Sequence, residues 1–207
     1  MLDPSVTTTA AAAAAYIFLR ATHALGDHPI QSDWAALHKP QPDDEQLAAG
    51  AHPWTGWAAC AQHVATYGLT QAVGLLLALA LSPLSAAGAA AALAISLSTH
   101  AVIDRRWLVR ALIRIRHKQA WAEGPYLIDQ ALHHGCIALA AAAAGLVTAA
   151  GPGVTATVAA GGIGAACLLL VIAGLLAEKV RARRLTADHH VGVQPDALVA
   201  AGEGTLR

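Results

Sequence analysis

Charged residues are scarce in this chain. Only 13% of its 207 residues are Asp, Glu, Lys or Arg, whereas soluble domains typically carry about 25%. Aromatic residues make up 4%, and there is one methionine. The formal net charge is zero with histidine neutral, so the overall charge gives no support for nucleic-acid binding. This composition argues against an ordinary soluble enzyme.

Cysteine and the common catalytic motifs are also sparse or missing. Cys60, Cys136 and Cys167 are widely spaced in apolar stretches and form no CxxC, which predicts buried free thiols. The sequence contains no HExxH, GxSxG, P-loop or dinucleotide fingerprint. The first residues lack the basic region of a secretory signal peptide, so we expect the first apolar segment to remain in the mature protein.

Hydrophobic residues are abundant, at 56% of the chain with alanine dominant, and the mean hydropathy is positive. A helix needs roughly 20 apolar residues to cross the hydrocarbon core of a bilayer. Five stretches approach that length. The sequence therefore predicts an all-α fold, a polytopic helical membrane bundle of about five transmembrane helices within residues 1–177. The predicted spans are residues 6–25, 60–81, 85–103, 126–149 and 154–177.

The connections between these spans differ in character. SPLS at 82–85 and GPG at 151–153 are predicted to be tight turns. Residues 28–58 are polar and proline-containing, which indicates a loop with a short helix around residues 32–39. Residues 105–118 alternate basic with apolar residues, as in an amphipathic helix lying on a membrane surface; a DNA-binding helix is the competing interpretation. Residues 178–207 are predicted to form a cytoplasmic, largely disordered tail.

Positive charge predicts the orientation of the bundle. Six of the thirteen Lys and Arg residues fall within 105–118, and four more fall within 179–184. Cytoplasmic flanks of membrane proteins are enriched in these residues. We therefore expect a multi-pass cell-membrane protein with its N-terminus outside and its C-terminus in the cytoplasm.

Histidine and aspartate recur four positions apart near the ends of the apolar stretches. Residues at i and i+4 lie on one face of a helix, and imidazole with carboxylate suits a divalent metal. The predicted topology places the three pairs, together with one further histidine, at one depth in the cytoplasmic leaflet. The candidate metal ligands are His23, Asp27, His63, His100, Asp104, Asp129 and His133.

The candidate site leaves several functions open. Zn²⁺ is the favoured metal, and Mn²⁺ or Fe²⁺ also suits such ligands. Tyr67, one turn after His63, could orient a ligand or stabilise an oxyanion. Gln130 is the second catalytic candidate, and with His134 it could support the metal ligands. The alternatives are a hydrogen-bonded network that only holds the bundle together, and a proton or ion relay.

Four short motifs resemble a known family. They are His23-Ala-Leu-Gly-Asp27 followed by Gln31-Ser-Asp33-Trp34 and Lys39, His63-Val-Ala-Thr-Tyr67, His100-Ala-Val-Ile-Asp104, and Leu127-Ile-Asp129-Gln130-Ala-Leu-His133. In this order they resemble domain of unknown function 3307, an uncharacterised family of small bacterial and phage membrane proteins. The resemblance covers roughly residues 16–140. The family is loosely similar to membrane-bound, metal-dependent hydrolases, which implies hydrolase activity only by analogy.

The sequence therefore predicts a membrane protein with a His/Asp metal site in the cytoplasmic leaflet. It could hydrolyse a lipid-linked or membrane-proximal ester or phosphoester, with Gln31, Asp33 and Lys39 at the entrance. The alternative is a non-enzymatic module: a small transporter, an ion or proton relay, or a scaffold. The expected partners are the lipid bilayer and a lipid-linked substrate, without nucleic acid. The oligomeric state is open.

Overall fold

The computed structural model of the chain describes residues 3–192, with the side chains of the last helix described as far as Asp188. Within these residues the regular structure is entirely helical, as predicted. Short polar residues begin several helices by accepting hydrogen bonds from the first-turn backbone, for example Ser85 from the amide of Gly88. The helices are α1 (Pro4–Asp27), α2 (Asp33–His38), α3 (Asp44–Ala48), α4 (Trp57–Leu81), α5 (Ala86–Asp104), α6 (Trp107–Ile115), α7 (Gly124–Ala149) and α8 (Val154–Gly192).

Four helices, α4, α5, α7 and α8, are long and apolar enough to cross a membrane. They correspond to four of the five predicted spans. The remaining predicted span lies within α1, which has 24 residues but is less apolar because it carries Arg20, His23 and Asp27. The predicted all-helical bundle with membrane-spanning helices is confirmed. The predicted count of five spans is approximate.

Alanine and glycine allow the helices to approach closely. α1 packs between α4 and α7, while α5 contacts α4, α7 and α8. The core between α1 and α7 is built from small side chains such as Ala11, Ala15 and Ala140, each fully buried. At Gly145, a β-carbon would lie 2.6 Å from the carbonyl oxygen of Thr8 on α1. Such contacts suit lipid, where packing rather than the hydrophobic effect holds helices together.

The polar segment between α1 and α4 contains the predicted short helix, seen as α2, and a second one, α3. α3 begins with a capping box, in which the side chains of Asp43 and Gln46 bond each other's backbone amides. α6 occupies only part of the predicted amphipathic stretch. Arg105 does not belong to it, because this residue ends α5 and is fully buried.

The last helix is longer than the sequence suggested. Residues 178–192, expected to begin a disordered tail, instead continue α8. Glu178 is fully buried, and the Thr186 hydroxyl donates to the carbonyl oxygen of Leu47 at the end of α3. This part of α8 therefore packs on the α2–α3 segment. Residues 193–207, the rest of the predicted tail, lie outside the described residues.

Candidate metal centre

The ends of four helices bring the predicted ligands together. α1 and α5 end, and α4 and α7 begin, at the same end of the bundle, because α4–α5 is a tight hairpin and α1 packs along α4 and α7. Six of the seven candidate ligands form one buried cluster, each no more than 7% exposed. They are His23, Asp27, His63, His100, Asp104 and His133. The seventh, Asp129, lies at the margin with a side chain 13% exposed.

Four of these residues form a compact inner group, which we call the quartet: Asp27, His63, His100 and Asp104. One donor atom from each lies within 4.8 Å of the others. The Nε2 atoms of His63 and His100 are 2.9 Å apart. Asp104 Oδ2 lies 3.3 Å from His63 Nε2 and 3.2 Å from His100 Nε2. Asp27 Oδ1 lies 3.3 Å and 3.7 Å from the same two nitrogens.

These separations fit a divalent metal ion. Four donors at about 2.0–2.1 Å from a tetrahedral ion lie about 3.3 Å from one another. Five of the six separations, from 2.9 to 3.7 Å, scatter around that value, and all six are within 4.8 Å. Asp27 Oδ1 and Asp104 Oδ2 are also buried without a hydrogen-bond partner among the described residues. Buried carboxylate oxygens normally have hydrogen-bond partners, and a cation at the centre of the quartet would contact both of these oxygens.

Lys39 provides a positive charge beside the quartet. Its Nζ lies 2.8 Å from Asp104 Oδ1 and 3.5 Å from Asp27 Oδ1. The Gln31 amide, with its oxygen turned toward Lys39, accepts from Nζ at 2.9 Å and donates to the carbonyl oxygen of Asp27 at 2.8 Å. The sequence predicted Gln31, Asp33 and Lys39 at an entrance. Instead Lys39 is only 4% exposed and joins the cluster, whereas Asp33 is exposed.

The remaining histidines form an outer layer next to the quartet. His23 Nε2 lies 3.3 Å from Gln130 Oε1, and Gln130 Nε2 donates to Asp27 Oδ2 at 3.0 Å. His133 Nδ1 lies 2.9 Å from the carbonyl oxygen of Asp129, a pure acceptor, so this nitrogen carries the proton. In a neutral His133, Nε2 is then the unprotonated nitrogen, and it lies 3.9 Å from Asp104 Oδ1. Gln130 thus connects the outer layer to the quartet.

Tyr67 contacts the quartet with its ring and not with its hydroxyl. The ring stacks on His100, with centroids 3.7 Å apart and planes at 14°. The hydroxyl lies 3.0 Å from Ser96 Oγ and 3.3 Å from His23 Nδ1. Tyr67 therefore fixes the orientation of His100. Ser96 was not selected from the sequence, because a serine inside an alanine-rich helix gives no signal of its own.

Arg105 and Glu178 form a buried ion pair that was not predicted from the sequence. Arg105 Nε donates to Glu178 Oε1 at 2.7 Å, and both side chains are fully buried. The Arg105 guanidinium also donates to the carbonyl oxygens of Lys39 at 2.6 Å and Thr55 at 2.7 Å. The Trp57 indole donates to the other Glu178 oxygen at 2.8 Å. This network fixes the backbone of Lys39 beside the quartet.

The match to a protein family covers most of this arrangement. Residues 16–159 match the family described as "Protein of unknown function (DUF3307)". The chain belongs to this family. The matched DUF3307 region contains every candidate ligand, but its description assigns no activity, and the looser similarity to hydrolases finds no support in the comparisons. No curated protein and no solved structure matches the chain.

Proposed function

We propose that this DUF3307 protein binds a divalent metal ion at the quartet and hydrolyses an ester or phosphoester at the membrane surface. The observation that carries the proposal is the convergence of four buried donor atoms at spacings close to those around a tetrahedral ion. Two imidazoles and two carboxylates favour Zn²⁺, with Mn²⁺ and Fe²⁺ as the alternatives.

The charges at the site support a divalent cation. With histidines neutral, Asp27 and Asp104 contribute two negative charges and Lys39 contributes one positive charge. The buried group therefore carries a net charge of about −1, which is unfavourable away from water. A bound cation would offset the excess negative charge and would also contact carboxylate oxygens that lack a hydrogen-bond partner among the described residues.

The chemistry proposed for the site follows from its donors. A divalent cation in such a group supplies Lewis-acid activation of water and of an ester or phosphoester. Gln130 holds Asp27 Oδ2 at 3.0 Å and so leaves Oδ1 directed at the quartet. A neutral His133 presents an unprotonated Nε2, which can accept a proton beside Asp104. Lys39 can stabilise negative charge that develops on a bound substrate.

The membrane location is part of the proposal. The quartet lies at the end of the bundle that carries α6 and the basic residues of α8, among them Lys179 and Arg183. Because the cytoplasmic flanks of membrane proteins are enriched in Lys and Arg, this end is assigned to the cytoplasm and the N-terminus to the outside. A site at that level would take a lipid-linked or membrane-proximal substrate.

The test is metal content together with metal-dependent hydrolysis. We expect the full chain, purified in neutral detergent, to retain about one divalent ion per chain by plasma mass spectrometry. Asp27→Asn/Asp104→Asn should lose the ion and the hydrolysis of p-nitrophenyl decanoate or bis(p-nitrophenyl) phosphate in mixed micelles. Asp33→Asn/Asp188→Asn removes the same charge from exposed positions and should keep both.

Two results would separate the parts of this proposal. Wild-type protein that neither retains metal nor shows a thermal shift on adding Zn²⁺, Mn²⁺ or Fe²⁺ would contradict the metal site. Protein that retains metal but hydrolyses neither compound above the level of Asp27→Asn/Asp104→Asn would contradict the hydrolase.

A non-enzymatic membrane module is the second candidate, and Lys39 favours it. The ammonium group already pairs with both carboxylates, so the cluster could work as a proton or ion relay without a metal. A relay or transporter should show gradient-dependent flux in liposomes that His100→Ala abolishes. A scaffold should instead tolerate His100→Ala and fail when Arg110 and Arg114 on α6 are neutralised.

A further inference from the structure

A cavity lies beside the candidate metal centre, between α6 and the start of α7. Its volume is about 380 Å³, and its walls include Arg106, Val109, Arg110, Ile113, Tyr126 and Asp129. Two positive side chains face one negative side chain there, and the other walls are largely apolar. A cavity with this lining favours a ligand that combines an anionic group with a hydrocarbon portion.

Arg106 occupies an unusual backbone conformation at the edge of this cavity. Its φ of 58° lies in the left-handed region, which residues other than glycine seldom adopt. It follows Arg105 and precedes the first residue of α6. The chain turns sharply here, and Arg106, which is exposed, is one of the residues that line the cavity. Strain of this kind is concentrated at functional sites.

Arg110 is incompletely paired. One terminal nitrogen donates to the carbonyl oxygens of Gln41 at 2.8 Å and Pro42 at 3.2 Å, but Nε is buried without a partner among the described residues. Desolvation by burial lowers the pKa of Arg110 below its ordinary value. A partly buried guanidinium that lines a cavity and bonds to backbone carbonyl oxygens through one terminal nitrogen is suited to bind an anion.

The cavity adjoins the metal ligands through Asp129. Asp129 lines the cavity, and its Oδ2 lies 3.5 Å from His133 Nδ1 and 3.4 Å from Gln130 Nε2. Gln130 in turn donates to Asp27 of the quartet. On the other side, Arg106 comes two positions after Asp104. An anion bound at the two arginines would therefore lie next to the proposed reaction site.

We infer that this cavity binds the phosphate group of an amphipathic phosphoester, with Arg106 and Arg110 contacting the phosphate oxygens. The inference rests on the proposed function, because it names the substrate class of the same site. Guanidinium groups match phosphate oxygens in geometry and charge. Val109 and Ile113 then face the hydrocarbon portion, and Tyr126, 56% exposed, lies at the rim. Aromatic residues with a polar tip favour the membrane interface.

The test measures binding apart from hydrolysis. Decyl phosphate is titrated calorimetrically into the full-length protein in neutral detergent, with inorganic phosphate and decanol as separate arms. We expect saturable binding of decyl phosphate, and binding of each fragment that is at least about tenfold weaker, because each lacks one half of the recognised chemistry. Equally tight binding of inorganic phosphate would overturn the assignment of an amphipathic ligand, and equally tight binding of decanol would overturn the assignment of phosphate.

Charge-matched variants identify the binding residues. Arg106→Gln/Arg110→Gln should raise the Kd for decyl phosphate at least about tenfold. Arg116→Gln/Lys118→Gln removes the same charge from exposed positions nearby and should change it less than about twofold. Equal increases in Kd in both variants, or no increase in the first, would overturn the inference.

Arg110 also bonds to the backbone between α2 and α3, so its loss could act through the fold. Arg106→Gln alone is therefore measured as well, and it should give about a threefold or greater increase in Kd.

A further variant distinguishes failure of this inference from failure of the proposed function. Asp104→Asn removes a quartet carboxylate but lies outside the cavity wall. We expect it to lose metal and hydrolysis while binding decyl phosphate within about threefold of wild type. If wild type binds decyl phosphate without hydrolysing phosphoesters, the inference stands and the hydrolase does not. If wild type hydrolyses phosphoesters and Arg106→Gln/Arg110→Gln leaves the KM unchanged, the cavity is not the substrate site.

Discussion

His63 Nε2 lies 2.9 Å from His100 Nε2, although the two residues are 37 positions apart and belong to different helices. Two imidazole nitrogens at this distance share either one proton or one cation. Asp104 Oδ2 lies within 3.3 Å of both nitrogens and makes no hydrogen bond of its own among the described residues. The carboxylate on the same side favours the cation, because a metal ion can contact both nitrogens and this oxygen at once, whereas one shared proton lies between the two nitrogens.

Removing either histidine should therefore weaken metal binding strongly. Changes to residues that merely support metal ligands commonly cost 10–100-fold in affinity, so loss of a ligand itself should cost about 100-fold or more. We expect this for His63→Ala and His100→Ala, measured by competition with a chelator of known affinity. His38→Ala, an exposed histidine on α2, is the control and should bind metal like wild type. Unchanged affinity in both quartet variants would rule out the metal site proposed here.

Lys39→Met should increase metal affinity and weaken the metal-free protein. Lys39 Nζ lies 2.8 Å from Asp104 Oδ1, so its charge opposes the binding of a cation beside it. Without the lysine, the two carboxylates are buried and uncompensated, which typically costs about 3–5 kcal/mol of stability. We expect a lower melting temperature in chelator and a larger rise on adding Zn²⁺ than in wild type, by thermal unfolding in detergent.

The matched control for this prediction is Lys118→Met, which removes an exposed lysine that is not part of the buried cluster. It should alter neither the melting temperature nor the zinc-induced rise. A Lys39→Met protein that is destabilised but shows no larger response to metal would instead support the network of ion pairs without a metal.

The convergence of these histidine and aspartate side chains could be predicted from the sequence because its signals were local. His23 with Asp27 and His100 with Asp104 are one helical turn apart, and helix ends are easily found where an apolar stretch stops. The hairpin turns then bring those ends together. The same local signals placed Tyr67 and Gln130 near the site, but not their contacts, because these depend on side chains from other helices.

The contacts that sequence reasoning missed all join distant segments. Arg105 was assigned to the basic amphipathic stretch, since its neighbours Arg106 and Arg110 gave the same pattern. Its burial is explained by Glu178, which lies 73 positions away on a helix expected to have ended. Lys39 was assigned to an entrance because it follows a polar loop. A contact between residues so far apart in the sequence leaves no periodic pattern from which it could be predicted.

Breaking the Arg105–Glu178 pair should destabilise the protein and displace Lys39. Arg105→Met leaves the Glu178 carboxylate buried without its charged partner, at a typical cost of about 3–5 kcal/mol. It also frees the carbonyl oxygens of Lys39 and Thr55. We expect a lower melting temperature together with faster hydrogen exchange of residues 39–57. The double variant Arg105→Met/Glu178→Leu should recover part of the stability, because it removes both charges.

A double variant no more stable than Arg105→Met would show that the loss comes from the carbonyl contacts and not from the unpaired carboxylate. Arg184→Met serves as the control, since this arginine on the same part of α8 is exposed. Its melting temperature should match that of wild type.

Gly145→Ala tests whether close approach of α1 and α7 holds the site end of α1 in place. A β-carbon at position 145 would lie 2.6 Å from the carbonyl oxygen of Thr8 and 2.9 Å from the β-carbon of Ala12, so α1 must shift. Overpacking of this kind typically costs about 1–3 kcal/mol. We expect a lower melting temperature in detergent. Because Asp27 ends α1, we also expect weaker metal binding.

The matched control is Gly135→Ala on α7, the helix that also carries Gly145. No atom lies within 4 Å of the β-carbon added at position 135, so this variant should leave both the melting temperature and metal binding unchanged. Equal behaviour of the two variants would show that this contact does not position α1.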